Sequence, residues 1–268
     1  MPTQILNDAV QIDVPLVIRL ITSQFPQWAH LPISPVKQSG WDNRMFHLGA
    51  EMSVRLPSGK HYASAVTKEQ TWLPRLAPDL PRSIPKPLGQ GEPSEDYPWQ
   101  WSVYRWLQGD VVTKDNVQDL GRFAFDLAGF LRALQAIDTT GGPTRKLRGG
   151  SLELWRGQAE QAIDALSGQI DNKAATEIWT QALEAPFEAQ DVWYHGDMTI
   201  AWTFLEPASR QMFRERLAVS DAIWHRGRGW ALWKAMIVLA KIIETNAIEA
   251  ASSQYAVDQV IADYKLNG

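Results

Sequence analysis

Three residues late in the chain carry the clearest chemical potential, His195, Gly196 and Asp197, within Trp193-Tyr194-His195-Gly196-Asp197. The Asp197 carboxylate can orient or accept the proton of an attacking hydroxyl. Gly196 permits a tight backbone path, and His195 is better suited to hold the loop by hydrogen bonding than to transfer protons. The apolar lead-in Val192-Trp193-Tyr194 would fasten the loop to a core. A His-Gly-Asp triplet alone is also an ordinary turn. After Asp197 the chain runs Met198-Thr199-Ile200-Ala201-Trp202-Thr203-Phe204-Leu205, and none of these offers a carboxylate or side-chain amide to a hard cation. The next carboxylates, Glu206 and Asp221, stand at expected helix boundaries, where capping is their ordinary use.

Arg55 and Glu69 form a second candidate pair. Met52-Ser53-Val54-Arg55-Leu56-Pro57 is a strand candidate with a charge in its middle, and a charge there must find an anionic partner or face solvent. Ala65, Glu69, Trp72, Leu73 and Leu76 recur at helical spacing, which sets Glu69 on or beside the inward face of the next helix. An exposed strand Arg and an exposed helix Glu fit the same pattern.

The elements that must position these groups change character once. Up to about residue 107 the chain carries short strand-like runs, a Pro-rich connector and one modest helix, and after about 113 it is helix upon helix. Asp13-Val14-Pro15 opens a helix through Leu20 and Phe25, with Asp13 as N-cap. Met45-Phe46-His47-Leu48-Gly49 precedes the Arg55 strand, and Ser39-Gly40-Trp41-Asp42-Asn43 leads into it as a loop, the composition any hairpin entry needs. Pro78, Pro81, Pro85 and Pro87 mark extended connector. Trp99 to Leu107 alternates apolar and polar residues as a strand ending in a hinge before Gln108-Gly109-Asp110. Val117, Leu120, Ala124, Leu127, Leu131, Leu134 and Ile137 predict an amphipathic helix, capped by Thr113 or Asp115 and ended by Gly141-Gly142-Pro143. Further helices are expected at about 152–167, 172–184, 208–218, 222–246 and 252–264. Glu153, Glu160 and Asp164 could line a pocket for amines or form a solvated helix face.

Composition sets outer limits. The 268 residues are 45% hydrophobic, enough for a substantial core and two lobes, and thirteen Trp residues are expected mainly in cores or pocket walls. Without Cys, disulfides, Cys-ligated zinc and thiol nucleophiles are excluded, which suits a cytoplasmic location. No secretory signal pattern opens the chain, and the apolar run Trp230 to Ile243 is too short to span a bilayer and is expected as a buried helix. The net charge of −4 argues against nucleic acid as main partner and is compatible with a cationic substrate.

With its upstream Arg55 and Glu69, its hinge and its flanks, the His195-Gly196-Asp197 segment resembles the catalytic loop of the aminoglycoside phosphotransferase and choline kinase-like family, over almost the whole chain. The resemblance implies an α+β, two-lobed protein-kinase-like fold, with a β-rich N-terminal lobe (1–107, hinge included) and a helical C-terminal lobe (108–268). It implies ATP or GTP with Mg²⁺ as cofactor, Asp197 and His195 as catalytic-loop residues, and Ser39, Gly40 and Asn43 as donors above the phosphates. Arg55 would pair a phosphate and Glu69 would hold Arg55, while Tyr104, Arg105, Trp106 and Leu107 would meet the purine base. The family pattern continues past His-Gly-Asp with a metal-binding Asn, a hairpin and a metal-binding Asp. This chain passes directly to the following helix, so about 30 residues of an ordinary family length are absent. No metal-ligating residue is assigned.

Three functions follow as expectations. One is transfer of the γ-phosphate of a nucleotide to a hydroxyl of a small molecule, a cationic one being compatible with the net charge, impaired by the absent ligands. Another is a pseudokinase that binds nucleotide, ligand or partner without turnover. The third is a non-kinase enzyme using His195 and Asp197 as a metal or acid/base pair. Without the hairpin, Ile200, Trp202, Phe204 and Leu205 are expected to lose packing partners, leaving a cavity, a rearranged helix or an exposed patch, with lower stability or self-association.

Overall fold

Asp13 begins the first helix as its type predicts: its carboxylate accepts from the Leu16 backbone N–H at 2.9 Å, and a proline occupies the first turn of α1 (Val14–Gln24). The computed structural model describes residues 10–37, 42–144, 150–187, 191–196, 199–242 and 246–267. It divides into two compact units, Met1–Val111 and Val112–Gly268.

The first unit is a five-stranded antiparallel sheet in the order β1-β2-β3-β5-β4, with β1 Ile33–Pro35, β2 Asn43–Leu48, β3 Met52–Pro57, β4 Pro87–Gly91 and β5 Trp101–Arg105. Leu16, Val17, Leu20 and Ile21 of α1 share a core with Phe46, Leu48, Val54, Leu56, Trp101 and Val103. Strand alternation then sends Asn43, Met45, Ser53, Arg55, Ser102 and Tyr104 to the opposite face. The register confirms it, pairing Met45 with Arg55, Arg55 with Ser102 and Ser53 with Tyr104. The expected helix is α2 (Lys60–Leu76), which packs against β3, β4 and β5.

Two strands were not expected. Pro87-Leu88-Gly89-Gln90-Gly91 lacks β-branched residues, yet it pairs with β5 as β4, because the indole of Trp101 fills the space over Gly91 where any Cβ would collide with it. The other, β1, is a three-residue edge strand on β2.

The second unit is helical: α3 Leu120–Ala136, α4 Arg156–Ala165, α5 Asn172–Glu184, α6 Ile200–Thr203, α7 Pro207–Leu217, α8 Asp221–Ile242 and α9 Ala247–Asn267. No strand follows β5 among the described residues, and the only bridge there is the isolated pair Ser167 and Ile170. The fold is thus the α+β, kinase-like plan, with no described counterpart of the catalytic-loop hairpin.

Four sequence expectations are corrected by the structure. The cap of α3 is Asp119, which accepts from the Arg122 N–H at 2.8 Å; Thr113 and Asp115 fall in a separate turn, where Asn116 accepts from the Thr113 N–H at 2.8 Å. The helix also ends at Ala136, before Gly141. The span 152–167 is broken into a 3-10 turn, Leu152–Trp155, and α4. Trp202 and Leu205 do not lack partners: they are 4% and 0% exposed in a core with Ala124, Leu131, Phe213, Trp224 and Leu232. As expected, α8 buries Ala231, Leu232, Trp233, Met236 and Leu239, and among the described residues no helix is long and apolar enough to cross a membrane.

Candidate functional site

In the first unit, the face of the sheet opposite the α1 core gathers four polar side chains. Arg55 donates from Nη1 to Glu69 Oε2 at 3.0 Å, so the strand Arg and the helix Glu do form an ion pair, each partly shielded from solvent. Tyr104 donates its hydroxyl to the same Oε2 at 2.6 Å. With its carboxamide oxygen turned toward the strand, Asn43 accepts from Arg55 Nε at 3.3 Å and Nη2 at 3.1 Å. A guanidinium has five N–H bonds, of which these contacts engage three. Among the described residues one N–H on each terminal nitrogen is left unengaged, and such donors suit the oxygens of a phosphate or carboxylate.

The next residue of α2 fixes the helix in place. Gln70 donates from its amide to the Gly89 carbonyl at 3.0 Å and to Ser102 Oγ at 2.9 Å, tying α2 to β4 and β5. Burial, reinforced by the Glu69 charge, pushes the Tyr104 phenol well above its ordinary pKa, so it stays a donor under all physiological conditions.

The four residues expected at the base are not equivalent. Tyr104 is 3% exposed and its hydroxyl is committed to Glu69, which leaves only its backbone for a base contact. Arg105 is exposed and its N–H donates to the Lys86 carbonyl at 2.9 Å. Trp106 donates its backbone N–H to Glu51 at 2.7 Å, and its ring meets His47 edge-on with centroids 4.4 Å apart. Leu107 is 39% exposed. Ser39 and Gly40 lie outside the described residues. The roles of Asn43 toward Arg55, of Tyr104 toward Glu69 and of Gln70 toward β4 and β5 were not expected; strand parity was the available signal, since 43, 45 and 55 share a face once Met45 opposes Arg55.

In the second unit, Gly196 takes φ +89°, a conformation open to glycine and strained for other residues. Trp193 fastens the lead-in, donating its indole N–H to the Asp138 carbonyl at 3.0 Å just beyond α3. The Asp138 carboxylate is itself held below its ordinary pKa, first by the backbone N–H and then by the hydroxyl of Thr140. Tyr194 and His195 are exposed, and no hydrogen bond to the His195 ring is found among the described residues. Asp197 lies outside the described residues. Past it, Thr199 accepts from the Trp202 N–H at 3.0 Å and the chain turns into α6.

Of the two downstream carboxylates, Asp221 pairs with Arg214 in the first turn of α8, whereas Glu206 stands at the N-cap of α7 but its side chain does not make the capping bond expected of it. Glu153 and Glu160 flank Arg156 on an exposed helix face, which is the solvated alternative rather than an amine pocket. Among the described residues no group of three or more His, Asp or Glu is placed to hold a metal ion.

Set against known proteins, residues 33–201 match the sequence profile of a phosphotransferase enzyme family. The match spans the sheet, α2 and the His195-Gly196-Asp197 segment. No curated protein matches the chain. Among solved structures, a GDP complex of an aminoglycoside 2'-phosphotransferase-IIIa variant superposes with a TM-score of 0.71 at 15% identity, covering 96% of this chain and 100% of that one. The streptomycin-ATP ternary complex of APH(2")-IIa superposes at 0.57 and 12% identity, covering 91% and 96%. Macrolide 2'-phosphotransferase MphH from Brachybacterium faecium gives 0.54 at 15%, covering 92% and 98%. At these identities the likeness is one of fold.

Proposed function

This chain belongs to the phosphotransferase enzyme family, and we propose that it binds ATP or GTP and directs the γ-phosphate to a hydroxyl of a small polar molecule, with turnover impaired. The observation that carries this reading is the Arg55–Glu69 pair at 3.0 Å, with Asn43 also on the guanidinium and two of its N–H donors unengaged among the described residues. A nucleoside triphosphate supplies the phosphoryl group. Arg55 would pair with its phosphate oxygens, and the backbone from Tyr104 to Leu107 would meet the base. Asp197 would orient the acceptor hydroxyl, held by the turn at Gly196. Phosphoryl transfer depends on positioning and charge stabilisation, and a preset Arg serves both.

The impairment follows from the residues after Asp197. Met198 to Leu205 contain no carboxylate or side-chain amide for a hard cation, and the chain enters α6 at Ile200. The described residues do not fit a protein-held Mg²⁺, and no step is assigned to one. A metal supplies on the order of several kcal/mol to such a transition state, and about 1.4 kcal/mol is a tenfold change in rate. This favours, as a second reading, a protein that binds nucleotide without turnover.

The test is thermal stabilisation by ATP or GTP with Mg²⁺, with Asp197→Asn as control, alongside phosphate transfer to aminoglycosides and macrolides, the acceptors named for the structural relatives. Stabilisation with transfer that Asp197→Asn abolishes supports the enzyme. Stabilisation without transfer supports the binding protein, and no response to either nucleotide sinks both.

A further inference from the structure

Tyr104 opens the segment assigned to the base, yet its side chain points to Glu69, the partner of Arg55. Its hydroxyl is 2.6 Å from Glu69 Oε2, and that one oxygen also receives Arg55 Nη1 at 3.0 Å. Resting on the nucleotide reading above, we propose that Tyr104 is a positioning residue, which orients the Glu69 carboxylate and through it sets Arg55 for a triphosphate.

The chemistry of the carboxylate supports this. A Glu side chain on a helix has several rotatable bonds, and one partly exposed ion pair does not fix it. A short O–H···O⁻ bond from a buried phenol does, because the ring is immobile: Tyr104 is 3% exposed and rises from β5, paired with Ser53 of β3 two residues before Arg55. Asn43 and Glu69 thus grip the guanidinium from two edges, and Tyr104 determines where the second grip stands. The same residue joins the strand that carries Arg105 and Trp106 to the cation that would meet the phosphates. A base seated against that strand and a phosphate on Arg55 are therefore coupled through one hydroxyl.

Two readouts test this. In protein carrying ¹⁵N-labelled arginine, the Arg55 Nε–H should exchange slowly with solvent. Tyr104→Phe, which keeps the ring, should speed that exchange severalfold, as should Glu69→Gln, and the double variant should be no faster than Glu69→Gln alone. In equilibrium binding, Tyr104→Phe should weaken ATP or GTP about tenfold, the scale of one charge-assisted hydrogen bond, and leave adenosine or guanosine within about twofold. Unchanged exchange in Tyr104→Phe, additive effects in the double variant, or equal losses for nucleoside and triphosphate would overturn the proposal. If the wild-type protein binds neither nucleotide while its Arg55 exchange responds to Tyr104→Phe, the proposed function falls and the positioning of Arg55 by Tyr104 stands.

Discussion

Trp202 donates its indole N–H to Asp263 at 3.1 Å, across 61 residues of chain, and so fastens the helix just beyond the His195-Gly196-Asp197 segment to α9. Asp263 is 4% exposed and stands 3.5 Å from Arg210 and 3.6 Å from Arg228, both buried, so two cations share one carboxylate. Arg210 also donates to the Ala201 and Leu205 carbonyls at 2.7 and 3.1 Å, closing the ends of α6. The short helix is held by a charge cluster as much as by its own turn.

Asp263→Asn should therefore be severe. It leaves two buried guanidiniums without a counter-charge, for which a loss of about 3–5 kcal/mol is expected. Trp202→Phe removes a single hydrogen bond while keeping most of the ring, and about 1 kcal/mol is expected. Denaturant unfolding of both variants checks the order; an Asp263→Asn loss no larger than that of Trp202→Phe would count against the cluster.

Arg55→Lys tests whether the fork or merely the charge matters. A lysine ammonium cannot be gripped along two edges by Asn43 and Glu69, so ATP or GTP affinity should fall about tenfold although the charge is kept. Titration calorimetry with Mg²⁺ present reads it. Equal affinity in Arg55→Lys would show that a point charge suffices.

The sequence made some of this legible and hid the rest for physical reasons. Asp13 and the 172–184 helix announce themselves because capping and period-3.6 burial are local. The strand β4 escapes because Gly89 and Gly91 are chosen for the rings over them, Phe25 and Trp101, and not for strand propensity. Trp202 and Leu205 were expected to be stranded because their partners stand far along the chain; those partners are residues such as Trp224, and Asp263 on α9. The Arg55–Glu69 pair was legible since strand and helix patterns each fixed one member. The bond from Tyr104 to Glu69 was hidden because residue type says only that Tyr104 is aromatic, while the β3–β5 register turns its hydroxyl to Glu69.

His225 gives the second unit a pH-dependent component with a definite sign. Burial, and then the positive charge of Arg228, hold its pKa below the ordinary 6.5, with Asp221 opposing. The unfolded chain therefore binds the proton more readily than the folded one, and this component of stability is present above the unfolded pKa and declines as pH falls through 6.5. His225→Gln should flatten the decline between about pH 7 and 5 relative to wild type. Melting temperatures of both proteins across that range decide it, and parallel profiles would exclude the effect.

Two positions with positive φ make opposite predictions from one cause. Gly196 sits at φ +89° within the proposed catalytic loop, whereas Ala218 closes α7 at φ +54°, its N–H donating to the Arg214 carbonyl at 3.0 Å. A Cβ is strained in both conformations, and glycine relieves it. Gly196→Ala should destabilise by about 1 kcal/mol and should abolish any phosphate transfer while sparing nucleotide affinity, because the proposed function gives the acceptor hydroxyl to Asp197, next in sequence, and the phosphates to Arg55. Ala218→Gly should stabilise by up to about 1 kcal/mol without altering binding or transfer. Unfolding curves of the two variants, measured with transfer and nucleotide titrations, check both signs at once. A Gly196→Ala protein that transfers phosphate at the wild-type rate would remove the loop from the reaction, whatever its stability.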